Sequence, residues 1–454
     1  MRSRILLARF AGARRPSGVP GDPGDIDPDA IIIATNGSDS TGTGTLANPL
    51  ASLPAARALV GSTPGSTIYL RGGVYDVVSG TGQNCYHTES LTTADMRFEG
   101  TAENPITISS YPGEWAIFDG HNHPWHPRSL NDGNSPDFGA ILLTLHGEHL
   151  IIENMEFRNS AARGTMWMGR NITFRNLISH HHHSDGFYMR THNSLMEFCD
   201  AYANYSISNG GNSSDGVKCF YSDALWARYG VNAGGNTWRD CRFWHNGDDG
   251  LDTWNTPNNH IERVYSFHNG YGPSTSGRSF KIGGATVTAS SGGGPYSFAN
   301  INTLVKDCVA VGGSGGFTTN DSTGVTLENF TSYKAGVIWM RSQYWTGEAD
   351  GQNFASNCIA FEGTAEYDVV ANSYIVYSNN SGRMFNGGAW NAGIPLAVAG
   401  DFLSLDPVSA DYLALSTGSE MRGIGVSGVD LGAFQFGLKF TRTSEMAETL
   451  PFWV

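Results

Sequence analysis

Residues 236–246 read NTWRDCRFWHN, and residues 259–269 read NHIERVYSFHN. Each stretch opens on Asn, alternates through its middle, and ends on Asn about ten residues later. Such alternation predicts a strand with one buried face. Asn suits the corners at both ends because it tolerates left-handed backbone angles. Looser copies begin near Asn171, Asn193, Asn302 and Gly324, so the chain repeats one structural unit.

A second phrase follows several copies of the first, with an apolar residue in its third position. Its copies are residues 185–188 (DGFY), 215–218 (DGVK), 249–252 (DGLD) and 278–281 (RSFK), continued by 316–318 (GFT). The fourth positions recur at intervals of 29 to 37 residues, a period that indicates a solenoid. If the third position points inward, the fourth points outward, about 4.8 Å from its equivalent on the next coil. The chain is therefore predicted to be all-β, a right-handed parallel β-helix.

The cysteines support the same repeat. Of the six in the chain, Cys199, Cys241, Cys308 and Cys358 each precede the end of their repeat by five residues. Because free Cys behaves as a small buried hydrophobe, we expect these four to form rungs of one interior stack. Disulfide and catalytic roles are the alternatives.

The chain divides into three predicted segments. Residues 1–30 are rich in Pro, Gly and Asp after a basic start, which is typical of an extended arm or linker. Residues 31–435 form the β-helix, opened by a strand at 31–34, a short capping helix at 49–59 and a strand at 67–70. Residues 436–454 form a C-terminal tail. The start lacks a clear secretion signal, so the arm is predicted to join a larger assembly, such as a phage tail or a homo-oligomer.

Composition restricts the classes of partner. The formal net charge of −14 is the opposite of what a nucleic-acid-binding protein usually carries. No apolar run is long enough to predict a membrane span. Glycine is abundant at 58 residues and charged residues amount to only 15%, which favours short strands and tight turns. An acidic protein that binds an acidic polymer needs local cations or a metal ion to do so.

Four acids are concentrated in two neighbouring coils: Asp215, Asp248, Asp249 and Asp252. Their carboxylates should repel one another unless a cation binds them, and hard oxygen ligands in this number favour Ca²⁺. The alternative is a solvated Asp-rich turn, since Asp-Gly alone signals a turn. Lys281 follows Asp252 in the outward column, where it is either a base beside the metal or a simple ion-pair partner.

Three motifs carry a family resemblance. Residues 214–218 (SDGVK), 246–252 (NGDDGLD) and 279–284 (SFKIGG) resemble the corresponding stretches of family 9 polysaccharide lyases, which are pectate lyases. The resemblance implies that Asp215, Asp248, Asp249 and Asp252 bind Ca²⁺ and that Lys281 is the Brønsted base. It also implies β-elimination in a uronate-containing acidic polysaccharide, in an extracellular or virion-associated setting.

Other side chains are candidates for holding substrate. Lys218, Arg190 and Arg278 are predicted to grip carboxylates, because cations pair with carboxylates through charge-assisted hydrogen bonds. Tyr188, Trp254 and Trp244 are predicted to stack on sugars, with packing as the alternative for each. The run from His180 to His183 is interpreted as a solvated turn rather than as a metal site.

Two other functions fit the same fold. Asp248 and Asp249 resemble the paired acids of glycoside hydrolases, although the Gly-His-Gly and Arg-Ile-Lys motifs that accompany such acids do not occur. A non-catalytic polysaccharide-binding tailspike or adhesin is the second alternative.

Overall fold

The computed structural model describes residues 26–61, 63–77, 96–122, 141–221, 223–272, 277–284, 300–319, 322–335, 338–339, 353–362, 375–378, 397–405, 409, 411–424 and 429–432. The predicted arm falls outside these residues up to position 25, and the predicted tail falls outside them altogether. In the described part of the chain, all the strands pair in parallel within one continuous 27-stranded sheet.

The elements follow one another in chain order. The first are β1 (Ile31–Ile33), α1 (Leu53–Val60), β2 (Thr67–Leu70), β3 (Gly73–Asp76), β4 (Arg97–Glu99), β5 (Ile106–Ser110), β6 (Ala116–Asp119), β7 (Leu143–Arg158), β8 (Thr165–His180), β9 (Phe187–His192), β10 (Leu195–Glu197), β11 (Asp200–Tyr202) and β12 (Val217–Phe220). The remainder are α2 (Asp223–Tyr229), β13 (Thr237–Arg239), β14 (Arg242–Trp244), β15 (Leu251–Trp254), β16 (His260–Glu262), β17 (Tyr265–Phe267), β18 (Phe280–Ile282), β19 (Asn300–Lys306), β20 (Val309–Val311), β21 (Phe317–Thr318), β22 (Thr323–Glu328), β23 (Thr331–Tyr333), β24 (Ile338–Trp339), β25 (Asn353–Ser356), β26 (Ile359–Phe361) and β27 (Ile375–Ser378).

The strands stack into three faces, because each pairs with its equivalent on the next coil. Face A runs through β9, β12, β15, β18, β21 and β24. Face B runs through β10, β13, β16, β19, β22, β25 and β27. Face C runs through β11, β14, β17, β20, β23 and β26. The long strands β7 and β8 contribute to all three. The predicted right-handed parallel β-helix is confirmed.

Helix α1 closes the N-terminal end of the coil, as predicted. The Ser52 hydroxyl accepts a hydrogen bond from the Ala55 N–H, which caps the first turn. On the inner side of the helix, Leu53, Ala56 and Val60 are buried in the main core. The helix therefore covers apolar side chains at the start of the solenoid.

The predicted interior stack of cysteines is present. Cys199, Cys241, Cys308 and Cys358 are fully buried in the main core, each directly before a strand of face C. Each is a free thiol. Because the strands that follow them pair in register, these sulfurs share one column with the aliphatic and aromatic residues of the intervening coils.

Asparagines fill the turn from face C to face A, but not as predicted. Asn171, Asn193 and Asn302 have the predicted left-handed angles, but at Asn246 and Asn269 the preceding histidines have positive φ instead. The asparagines of this turn are buried, and their side chains form a hydrogen-bonded ladder. The Asn204 amide donates to Asn246 and the Asn246 amide donates to Asn269, both at 2.9 Å. This ladder fixes the backbone just before the acidic phrase.

The C-terminal segment packs on the outside of the solenoid. Its residues Phe402, Tyr412 and Met421 join a buried cluster with the outward side chains of face C, among them Phe267 and Tyr333. The described residues of this segment therefore form a lateral layer against face C. Among the described residues, no helix is long and apolar enough to cross a membrane.

Candidate functional site

The site lies on the outer surface of face A. The register places Tyr188, Lys218, Asp252, Lys281 and Thr318 opposite one another on successive strands. Their strand neighbours point the other way, into the main core. The fourth positions of the repeated phrase therefore form one outward column, as their spacing predicted.

A second column consists of the first residues of the repeated phrase, three positions before the residues of the outward column in each coil. The N–H of Asp215 donates to Asp185 Oδ1 at 3.1 Å, and the N–H of Asp249 donates to Asp215 Oδ1 at 2.8 Å. The N–H of Arg278 donates in turn to Asp249 Oδ1. Each aspartate thus uses one oxygen to brace the next coil and keeps its second oxygen, Oδ2, for another partner.

The partner of Oδ2 differs from coil to coil. In Asp185 it accepts a hydrogen bond from Arg163 Nε at 3.0 Å, within an ion pair. In Asp215 it is buried and accepts no hydrogen bond. In Asp249 it accepts from Lys281 Nζ at 2.9 Å. The arginine therefore neutralises the first carboxylate of the column and leaves the next two for the site.

Three fully buried carboxylates meet where the two columns approach each other. Asp215, Asp249 and Asp252 are all 0% exposed, and each offers an oxygen within 4.8 Å of the others. Besides Asp215 Oδ2, Asp252 Oδ1 is also buried without a hydrogen bond. Buried polar atoms normally have hydrogen-bond partners, so two carboxylate oxygens in one cluster that accept no hydrogen bond are suited to binding a cation.

Two lysines flank the carboxylates. Lys281 Nζ lies 2.9 Å from Asp249 Oδ2 and 3.1 Å from Asp252 Oδ2. Lys218 Nζ pairs with Asp252 and lies 3.3 Å from Asp215 Oδ2. Three carboxylates face two ammonium groups, so the cluster retains excess negative charge.

This charge crowding shifts the proton affinities of the site. Burial, together with the neighbouring aspartates, raises the pKa of Asp215 well above its ordinary value, although Lys218 opposes the shift. Burial disfavours the ammonium form of Lys281, but Asp249 and Asp252 outweigh burial and raise its pKa. The same balance raises the pKa of Lys218, with Asp252 as the main stabilising charge. In this arrangement both lysines are held as cations.

Asp248 lies beside the cluster rather than within it. Its Oδ2 accepts a hydrogen bond from the Ser213 N–H at 3.0 Å, and it is not among the three carboxylates that come within 4.8 Å. Burial and the charge of Asp249 raise the pKa of Asp248 to about 7. It therefore shares the electrostatics of the cluster, while its predicted role as a ligand stays a prediction.

Trp254 lies beside both lysines. Its ring centroid is 5.7 Å from Lys218 Nζ and 5.2 Å from Lys281 Nζ, within cation–π range. A Cβ on Gly284 would lie 2.8 Å from the indole, so only glycine leaves room for the ring. Trp254 therefore lies at the side of the site, next to both lysines.

Tyr188 does not offer the open stacking face that we expected. It is 5% exposed, and the Arg163 guanidinium lies 4.2 Å from its ring centroid. Its hydroxyl accepts a hydrogen bond from Arg190 Nη2 at 3.2 Å. Trp244 is also buried, stacked against Tyr202 on face C. These two aromatic residues pack within the fold, and their predicted roles in stacking on sugars stay predictions.

The other predicted residues occupy varied positions. Arg278 contributes its backbone N–H to Asp249, and its side chain passes close to Gly315. The histidine run is not wholly solvated, because His182 and His183 are buried and accept backbone hydrogen bonds from Ser160 and Ile207. Among the described residues, the histidines belong to no cluster with metal-binding geometry.

Two residues that contribute to the site, Asp185 and Arg163, were not predicted as site residues from the sequence. Asp185 opens a copy of the acidic phrase, so its position in the column was available from the spacing. Arg163 belongs to neither repeated phrase, and no signal in the repeats identified it. As arranged, the cluster has the ligand type and excess charge to hold a hard divalent cation beside two lysines.

Comparison with known proteins gives consistent matches. Residues 31–357 match the family model described as Pel9A-like, right-handed β-helix region. Pectate lyase L of Dickeya chrysanthemi is 26% identical over 440 residues, covering 89% of this chain and 89% of that protein. Pectate lyase PEL9 of Emericella nidulans is 26% identical over 387 residues, covering 80% and 83%.

Solved structures share the fold. The crystal structure of pectate lyase Pel9A aligns with a TM-score of 0.63 at 22% identity, covering 91% of this chain and 96% of that one. A rhamnogalacturonan lyase aligns with a TM-score of 0.66 at 22% identity, covering 86% and 97%.

Proposed function

The chain belongs to the Pel9A-like right-handed β-helix family, and we propose that this polysaccharide lyase uses Ca²⁺ to cleave a pectate-like, uronate-containing polymer by β-elimination. The observation that carries the proposal is the buried cluster of Asp215, Asp249 and Asp252, in which two carboxylate oxygens accept no hydrogen bond. The curated relatives are pectate lyases, which favours this reaction over the hydrolase and adhesin alternatives.

The donor set fits calcium. Ca²⁺ takes six to eight oxygen ligands, carboxylates above all, and tolerates irregular geometry. Asp215, Asp249 and Asp252 would hold it, with Asp248 as the adjoining fourth ligand. When bound, the ion would fix the substrate's carboxylate and stabilise the negative charge that develops on it.

We assign the base to Lys281. The C5 proton of a uronate is weakly acidic, and a positioned neutral amine can accept it. The C5–H electron pair then forms the C4=C5 double bond, the C4–O bond breaks with its pair on oxygen, and that oxygen takes up a proton from water or from the lysine. Asp249 and Asp252 pair with Lys281. Once they serve as metal ligands, burial favours the neutral amine.

The remaining cations would orient the polymer. Lys218 shares Asp252 with Lys281 and is held in its charged form, which suits it to a neighbouring uronate carboxylate. Arg278 and Arg190 are assigned the same role at longer reach. Trp254 would pack against a sugar ring at the side of the groove. These assignments rest on placement along face A.

The test of this proposal is a uronate-polymer assay. Incubation with polygalacturonate in Ca²⁺ should raise the ultraviolet absorbance of the unsaturated product, and a chelator should abolish the rise. Reducing ends that accumulate without that absorbance would indicate hydrolysis instead. Binding without any cleavage would favour the adhesin alternative.

We also infer that the protein works outside the cell or on a virion, where such polymers are met, with residues 1–30 as its attachment arm. The arm's Pro/Gly/Asp-rich composition supports this. Deleting residues 1–30 should leave folding and cleavage intact and abolish attachment to the partner. A deletion variant that fails to fold would show that the segment belongs to the core.

A further inference from the structure

The outer surface of face A changes character along the solenoid. From Lys218 towards the C-terminus its outward residues include the charged side chains of the site. Towards the N-terminus the outward side chains Met166, Met168 and Tyr188 are at most 5% exposed. Their strand neighbour Trp167 points into the main core, so these three belong to a separate cluster on the outside.

Helix α2 covers this cluster. It lies in the connection from β12 to β13, which spans residues 221–236, whereas the equivalent connection from β9 to β10 consists of residues 193–194 alone. The insertion begins at the end of the strand that carries Lys218. The members of the covered cluster are Ile141, Met166, Met168 and Tyr188, with Phe220 and Tyr229 packed against them.

Specific contacts hold α2 in this place. The Arg170 guanidinium lies 4.9 Å from the ring centroid of Tyr229. Arg228 forms an ion pair with Glu99, a residue of β4 that lies far earlier in the sequence. Leu225 is fully buried. The helix is therefore tied to coils on the N-terminal side of the site.

We propose that α2 closes the polymer groove on its N-terminal side, so that the lyase cleaves at a fixed short distance from one end of the chain. This inference rests on the function proposed above. The outward column from Lys218 to Lys281 covers two coil steps, about 9.6 Å. Beyond Lys218 the sheet is buried under α2, so a polymer that follows the column must end there.

The test uses an end-labelled hexauronate with Ca²⁺. The wild-type protein should cut one bond, at a constant distance from one end. Tyr229→Ala removes the side chain that contacts the cluster and should make additional bonds cleavable, raising their share of early products at least several-fold. Arg228→Ala, which loosens α2 at the surface, should shift the products in the same direction. Tyr111→Ala is the matched control, because Arg71 lies 4.9 Å from that ring on a remote coil.

The outcomes separate this inference from the proposed function. Comparable cleavage of several bonds by the wild-type protein would overturn the proposed closure of the groove by α2 and leave the lyase assignment intact. Absence of any unsaturated product would overturn the lyase assignment, and binding measured by calorimetry would then test the closure by α2. Tighter binding of hexauronate, but not of diuronate, by Tyr229→Ala would support it; unchanged binding of both would overturn it.

Discussion

Removal of Lys281 should strengthen calcium binding while it abolishes turnover. This lysine contacts Asp249 at 2.9 Å and Asp252 at 3.1 Å, and both carboxylates are fully buried. The same oxygens are the proposed metal ligands. Lysine and calcium are therefore expected to compete for these oxygens, and calcium binding should displace the ammonium group from them.

The magnitude follows from burial. Breaking a buried ion pair costs about 3–5 kcal/mol, whereas an exposed pair contributes about 0–1 kcal/mol. The Lys281 side chain is 21% exposed, and Lys218 still pairs with Asp252 when Lys281 is replaced by Ala. An intermediate value of about 2 kcal/mol corresponds to a roughly 30-fold gain in calcium affinity. Loss of the base should meanwhile lower turnover by about 10²–10⁴.

The assay is calcium titration calorimetry on Lys281→Ala, with initial rates of unsaturated product measured in parallel. Lys306→Ala removes the same charge from face B, where the side chain is 39% exposed and 4.0 Å from Glu328, and should change neither quantity. Equal calcium affinity in Lys281→Ala and wild type would show that lysine and metal do not share ligands. Retained turnover would show that the base lies elsewhere, with Lys218 as the next residue to test.

Three further predictions follow from single residues. Asp249→Asn should weaken calcium binding by at least 100-fold in calorimetry, because it removes one of the few charged ligands; unchanged affinity would place the site elsewhere. Gly284→Ala should lower turnover by displacing Trp254, whereas Gly418→Ala, with open space around it, should not. Burial, with nearby arginines, lowers the pKa of His146 to about 4. The unfolded chain therefore binds a proton that the folded one excludes, and the contribution of His146 to stability should fall by about 3 kcal/mol between pH 6.5 and pH 4, but not above pH 6.5. His146→Gln should flatten that dependence in denaturant unfolding.

The features that recur from coil to coil could be predicted from the sequence. The phrase spacing placed Lys218, Asp252 and Lys281 in one column, and the cysteine phase placed Cys199 and Cys241 in one stack, because parallel pairing carries each position onto its equivalent. Both results depend on strand register alone.

What the sequence did not predict lies outside the repeat or depends on side-chain direction. Tyr188 stands in the repeated column, yet it is buried in a cluster that includes Tyr229 of the non-repeated helix α2, and Arg163 lies over its ring. Asn246 was expected to shape a corner through its backbone, but it stabilises the corner through a buried amide ladder. Insertions and inward-facing polar side chains are chosen by tertiary packing, which the periodicity does not encode.

We propose that the carboxylate cluster binds the calcium on which β-elimination depends. The most direct measurement is the initial rate of unsaturated product from polygalacturonate as a function of free Ca²⁺, for wild type and Asp249→Asn. We predict saturation for the wild type, no rate in chelator, and a curve for Asp249→Asn displaced to at least 100-fold higher calcium. A wild-type rate that persists in chelator, or two coincident curves, would contradict it.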